Sequence, residues 1–306
     1  MKELFRNTWK NKGLLLMALP GIILIFMFSY MPMFGILVAF KDFNYQDGIF
    51  GSRWVGLDNF RILFVTKDVT LRLIRNTVGY WFLFMVTGTI LNVSLAIALN
   101  ECVLKRFSKI SHTFMILPTF ISWIAVTFIV KALLDGQDGM LNHIRTGLGL
   151  QPIQWYSEPG KWPVILLLTN IWKGTGYGAI IYLSAITGLD SEVFESAELD
   201  GATRWQQIRY IMLPMLVSMI SIMTLLGLGG IMSSNTGLFY QVTKNIGLLY
   251  STTQTIDAYI MNALTSGSSD FGMSSAVTFF QSVVGFVMIV VSNGIVRRWE
   301  PDNALF

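Results

Sequence analysis

Charge is scarce in this sequence. Of its 306 residues only 13% are Asp, Glu, Lys or Arg, while 53% are hydrophobic and the mean hydropathy is +0.56. That balance excludes an ordinary soluble domain. The single cysteine, Cys102, excludes an internal disulfide, and the only two histidines, His112 and His143, are too few and too far apart to build a metal site. No GxxxxGK[ST] phosphate cradle occurs, and the only Gly-Lys pair, Gly160-Lys161, has the wrong neighbours. The chain is therefore not expected to hydrolyse ATP itself. The formal charge of +4 is small and its basic residues sit beside apolar runs, so no nucleic-acid groove is implied. There is no internal repeat, low-complexity tract or soluble domain.

Long apolar runs are what the sequence does have. A membrane helix needs about 20 mostly apolar residues, and six stretches qualify: roughly 14–40, 76–99, 112–134, 163–187, 210–231 and 273–296. None of the six contains Asp or Glu, which disfavours a carrier that relays ions or protons through buried carboxylates. Nor do they hold a cluster of His, Cys or acids, so no catalytic residues are assigned. The first run is too long for a signal-peptide core and lacks a small-residue cleavage pattern, so it is expected to remain as an anchor, with Met1 retained. Lys2, Arg6, Lys10 and Lys12 precede the first run, Lys105, Arg106 and Lys109 crowd the second connection, and Arg297 and Arg298 close the sixth run. With six spans these all fall on one side, the cytosol. The expected organisation is an all-α polytopic protein: a cytosolic tail at 1–13, a six-helix membrane domain at 14–296, and a cytosolic tail at 297–306.

One polar segment between the fourth and fifth runs has a pattern that a plain loop would not need. Asp190 is suited to cap a helix whose first turns carry Glu192 and Glu195, and Gly201 is suited to end it in a left-handed conformation. Thr203-x-x-Gln206 then matches a capping box leading into the fifth run, with Pro214 near its mouth. Val193, Phe194 and Ala197 give the first of these helices an apolar face that needs a covering surface. An amphipathic helix lying on the bilayer would need neither the glycine break nor the proline.

Glu195, Ala197, Gly201, Ile211, Leu213 and Pro214 resemble the EAA motif (E-A-A, three residues, G, nine residues, I-x-L-P) of permease subunits of ATP-binding-cassette importers, with Ser196 at its second position. Asp200-Gly201-Ala202 is similar to the version found in the sugar-importing branch. ALPGIILIFMFSYMPMFGILVAFKDFNY (18–45), WVGLDNFRILF (54–64), RNT (75–77), ILP (116–118), IWKGTGYGAIIYLSAITGLD (171–190), TIDAY (255–259) and RRWEPDNALF (297–306) extend the resemblance over nearly the whole chain, particularly to permeases for complex oligosaccharides. The resemblance implies a six-helix permease whose segment 190–202 is a coupling helix that docks on an ATPase subunit through Glu195, Ser196, Ala197, Asp200, Gly201 and Ala202. It implies a second homologous permease, two ATPase subunits holding ATP and Mg, an extracytoplasmic sugar-binding protein, and residence in a bacterial cytoplasmic membrane. No cofactor or metal is expected on this chain. The readings from other classes are an ion-coupled sugar carrier, whose transport would survive without an ATPase, and a membrane scaffold or enzyme, active without a partner permease.

For a sugar pathway the sequence offers amides and aromatics. Lys173 is the only charged residue well inside a run, and its side chain is too short to reach the membrane surface, so it must face protein or water. Asn170 at i−3 and Tyr177 at i+4 share its helix face, and Trp172 is adjacent. Two readings of Lys173 stand: a donor to sugar oxygens, or a ligand of backbone carbonyls at the interface with the second permease. Asn235, in the SSNTG stretch after the fifth run, and Gln281, in the sixth, complete the expected pathway set. Trp54, Trp155 and Trp162 fit an outer aromatic belt, and Asp257 fits either a helix cap or a contact in the outer vestibule.

Overall fold

The computed structural model describes residues 12–61, 67–266, 270–299 and 304. Most of the two expected tails, including Lys2, Arg6 and Lys10, lies outside the described residues. The principal helices are α1 (Lys12–Phe40), α2 (Lys67–Glu101), α3 (Lys105–Ile116), α4 (Trp123–Leu134), α5 (Met140–Gly147), α6 (Trp162–Thr187), α7 (Ser191–Leu199), α8 (Arg204–Leu228), α9 (Ile256–Thr265) and α10 (Phe271–Trp299). Among the described residues, α1, α2, α6, α8 and α10 are long and apolar enough to cross a membrane. Their outward residues are those that water would reject: Leu16 is 73%, Met17 81% and Phe28 74% exposed on α1.

The expected straight span over 112–134 requires correction. It is two helices, Arg106–Phe120 and Trp123–Leu134, bent by 100°. Pro118 interrupts the first with a tight turn, Leu117–Phe120, and Ile121 and Ser122 are extended. Ser122 then restarts the chain as an N-cap whose hydroxyl accepts from the Ala125 N–H at 3.2 Å. The fifth span also begins earlier than its apolar run, at Arg204, and passes through a π-turn at Ile208–Met212.

By their contacts the described residues divide into two compact units, those within 1–65 and 269–280, and those within 66–268 and 281–306. In the first, the end of α1 is tied to a short hairpin, β1 (Lys41–Asp42) against β2 (Arg53–Trp54). Asn59 donates to the carbonyls of Ala39 and Lys41 at 3.0 and 2.9 Å, and the Phe40 ring stacks on Trp54 and meets Phe60 and Phe279.

In the second unit α2 and α6 pack along much of their length. The backbone of α3 reaches α6 at Gly176, where a Cβ would overlap the Met115 carbonyl, a close approach of the kind small residues permit between membrane helices. One apolar core joins Tyr80 of α2, Val126, Val130 and Leu134 of α4, and Trp162 and Leu166 of α6 to the π-turn Gly237–Val242. The other joins Val93 and Ala96 of α2, Tyr182 and Ile186 of α6, and Met212 and Leu216 of α8. The polar segment between α6 and α8 hangs beneath this second core.

Candidate functional site

Local chemistry builds the segment 190–203. The Asp190 carboxylate accepts from the Glu192 N–H at 3.0 Å, and α7 begins there. At the other end the Ala202 N–H donates to Ala197 O at 2.9 Å and the Gly201 N–H to Glu198 O at 3.1 Å. This paired arrangement is a Schellman stop, and it places Gly201 at φ +81°. Thr203 caps the next turn in a reciprocal box with Gln206, so α8 starts at once. Two helices therefore meet at a tight corner without a slack loop.

The faces of α7 divide as an anchored and an open side. Phe194 packs against the core formed by α2, α6 and α8, and Ala197 is half-buried. Glu195, Ser196, Asp200 and Gly201 are exposed, Ala202 is half-buried, and Val193 and Leu199 are 42% and 90% exposed. Of the expected apolar face, Phe194 and Ala197 thus turn inward and Val193 stays open. Glu198 approaches Arg204 at 3.9 Å, and both side chains are exposed, so that pair stabilises little.

The expected pathway residues do not form one open face. Lys173 is 9% exposed. Its ammonium donates to the carbonyls of Pro118, Thr119 and Ile121 and lies 5.1 Å from the centre of the Trp123 ring. Thr119 returns a bond to the Lys173 carbonyl at 2.8 Å. These carbonyls belong to the broken end of the α3 segment, where intrahelical donors run out, and a cation is favoured at such an end. Three carbonyls match the three N–H groups of the ammonium, so donation to a sugar would require releasing one of them. Trp172 and Tyr177 are exposed and Asn170 is half-buried. Asn235 is exposed, and its side-chain oxygen accepts from the Leu238 N–H at 3.3 Å. Gln281 is buried, donating to Met232 O and to the Asp257 carboxylate.

The structure adds Trp123 to this neighbourhood and gives Asp257 its partners. Trp123 lies between the Lys173 ammonium and Gly237, where a Cβ would overlap its ring. Asp257, in the first turn of α9, accepts from the Ser234 N–H at 2.6 Å, the Ser234 hydroxyl at 3.1 Å and Gln281 at 3.3 Å. One carboxylate thus ties the end of the fifth span, the helix α9 and the sixth span together. For Trp123 the sequence signal was only a tryptophan after Ser122, whereas Asp257 was expected as a helix cap or a contact, and the N-cap position of α9 is taken by Thr255.

Burial holds the Asp257 carboxyl above its ordinary range, against the opposing effect of its hydrogen bonds from Ser234 and Gln281. The folded chain therefore keeps this proton to higher pH than the unfolded chain, and the group costs stability as pH rises through that interval. Asp257→Asn is expected to remove this cost. The Tm of the variant in detergent, relative to the wild type, should move in its favour from acid pH to neutrality, and a constant difference would refute the assignment.

Among the described residues no group of three or more His, Cys, Asp or Glu is placed to hold a metal ion. What the arrangement does hold is spans, a bent pair of apolar helices and a tight corner with an exposed face. Residues 88–301 match the model of the family described as binding-protein-dependent transport system inner membrane component. Protein LplB of Bacillus subtilis (strain 168) is 31% identical over 295 residues, 96% of this chain and 91% of the relative. The polygalacturonan/rhamnogalacturonan transport system permease protein YteP of the same strain is 32% identical over 303 residues, 99% and 93% of the two chains. A chain in the crystal structure of a bacterial ABC transporter involved in the import of the acidic polysaccharide alginate superposes with a TM-score of 0.84 at 31% identity, covering 97% of this chain and 99% of the other. A second crystal structure, of the alginate transporter in complex with an alginate pentasaccharide-bound periplasmic protein, gives a TM-score of 0.84 at 30% identity, with 96% and 97% covered. With seven-tenths of its length inside the family's boundaries and two full-length relatives above 30% identity, this multi-pass membrane chain belongs to the binding-protein-dependent transport system inner membrane components.

Proposed function

We propose that the chain is one half of the membrane channel of an ATP-driven importer that takes an oligosaccharide from an extracytoplasmic binding protein. A second, homologous permease completes the channel, and two ATPase subunits hold ATP and Mg. Closure of the ATPases is passed to the spans through residues 190–202, and the paired permeases alternate between outward and inward access. Both termini and Asp200 face the cytosol, and Asp257 faces outward.

The observation that carries this reading is the corner at Gly201. A capped helix with exposed Val193, Glu195 and Leu199 is held by Phe194 on the span core and closed by a Schellman stop. Such a surface needs an occupant, and a rigid corner suits one that pushes. The oligosaccharide class is supported by the names of the relatives, which concern polygalacturonan, rhamnogalacturonan and alginate. Trp172, Tyr177, Asn170 and Asn235, exposed or half-buried, supply the aromatic and amide groups that sugars require.

Two measurements test the proposal. The complex, reconstituted with its binding protein, should show ATPase activity stimulated by some members of a panel of neutral and acidic oligosaccharides. Uptake that persists without the ATPase subunits would overturn the reading. Single cysteines at 200 and 257, in a chain lacking Cys102, should label from opposite sides of the membrane, and labelling of both from one side would overturn the orientation.

A further inference from the structure

Arg75, Asn76 and Thr77 on α2 bind the loop before α9. Asn76 donates to Gln254 O at 3.0 Å, Thr77 accepts from the Ile256 N–H at 3.0 Å, and Arg75 donates from Nη2 to Ser251 O at 2.7 Å. Nη2 of Arg75 also donates to the Asn76 side-chain oxygen at 3.1 Å. The guanidinium is therefore held in place, yet Nη1 makes no hydrogen bond among the described residues, and Arg75 is exposed. One turn away, Arg72 donates from Nη2 to Gln254, while its Nε is buried without an acceptor. Neither arginine forms an ion pair among the described residues. The site carries unbalanced positive charge.

A groove of about 200 Å³ opens beside Arg75, lined by Gly79, Tyr80, Leu83, Pro163 and Thr252 as well. Its polarity changes along α2. Arg75 and Thr252, whose carbonyl takes the Tyr80 hydroxyl at 2.9 Å, line its polar end. Gly79, whose missing side chain leaves open space, and Leu83 follow one and two turns deeper, about 6 and 12 Å along the helix. Residue 76 begins the apolar run of this span, so Arg75 stands at headgroup depth and the groove descends into hydrocarbon.

The geometry points to a binding site for an anionic glycerophospholipid: the phosphate on the free side of the Arg75 guanidinium, and the upper part of one acyl chain in the groove over Gly79 and Leu83. A fixed cation at the membrane surface above an apolar channel fits a molecule whose charge and hydrocarbon are arranged in the same order. The leaflet is the one bordering the loop 232–272, the outer leaflet on the orientation proposed above; the site itself does not depend on that orientation.

The test is lipid retention, which needs neither ATP nor sugar and so fails or succeeds apart from the transport reading. The full-length chain with its co-purifying subunits is extracted from phosphatidylglycerol-containing membranes, and bound phosphatidylglycerol is counted by native mass spectrometry. Arg75→Gln should lower retention about fivefold, the effect of removing one basic residue at an anionic surface. Gly79→Leu, which fills the groove without touching the charge, should lower it as well. Wild-type retention in both variants would overturn the proposal. So would displacement of the lipid by inorganic phosphate alone, which would make this a phosphate site. Loss of the partner permease in Gly79→Leu, with unchanged lipid on the remaining complex, would assign the groove to a protein interface and equally overturn it.

Discussion

Gly201→Val is expected to abolish transport and sugar-stimulated ATPase activity while the chain still inserts into the membrane. The backbone at this position has φ +81°, where a side chain costs about 1–2 kcal/mol and a β-branched one more. Relaxing to negative φ breaks the Ala202–Ala197 and Gly201–Glu198 bonds that close α7, each worth about 1 kcal/mol. Apolar length drives insertion of the spans, so the loss is expected to fall on how α7 is presented. Uptake in proteoliposomes, with the membrane-bound amount as control, measures it. The expected order is Gly, Asn, Ala, Val, following tolerance of the left-handed conformation. A Cβ at Gly201 meets nothing within 4 Å in this chain, so an order that followed side-chain volume instead would mean contact with another subunit. Normal uptake by Gly201→Val would refute the coupling role.

Lys173→Met should be the next most damaging change. Its ammonium serves the carbonyls of Pro118, Thr119 and Ile121; the methionine would take that donor from all three and leave Pro118 O with only the Ile121 N–H at 3.2 Å. At about 1–3 kcal/mol for each of the two carbonyls left unsatisfied, a loss of about 2 kcal/mol or more is expected, read as a fall in Tm. Lys173→Arg keeps the charge but spreads its donors in a plane, and should recover only part of it. Thermal melting of the assembled complex separates the roles: a Tm loss without sugar supports the lock on the broken helix. A stable variant complex that has lost only sugar-stimulated ATPase activity would instead place Lys173 in the pathway. Unchanged stability and uptake would eliminate both.

What could be read from the sequence was what neighbouring residues decide. Asp190, Gly201 and Thr203-x-x-Gln206 act within a few positions of themselves, and each stands where its pattern requires. The break after Phe120 was hidden because the apolar run continues through it and a single proline is compatible with a membrane helix. What stabilises the break is an ammonium 52 to 55 positions away in sequence, and such a pairing leaves no local trace. The same holds for Asp257, whose partners Ser234 and Gln281 come from two other segments. The π-turns at Phe26–Tyr30, Ile208–Met212 and Gly237–Val242 add a residue to a turn without changing composition.

The short connections on either side of α7 have a mechanical consequence. Only residues 188–190 separate it from α6, and only 200–203 from α8. Both joints are stitched by backbone bonds, Gly188 and Leu189 to the end of α6 and Asp200, Gly201 and Ala202 to the end of α7. Phe194 is seated between them on the span core. A load applied to α7 therefore cannot be absorbed by slack, and it reaches both spans in phase, as torque on a crank with two arms. One arm is α6, which carries Lys173 far above the joint. Turning the crank would bear first on Ile186 and Tyr182, packed against α2 and α8, and only beyond them on the carbonyls that Lys173 holds.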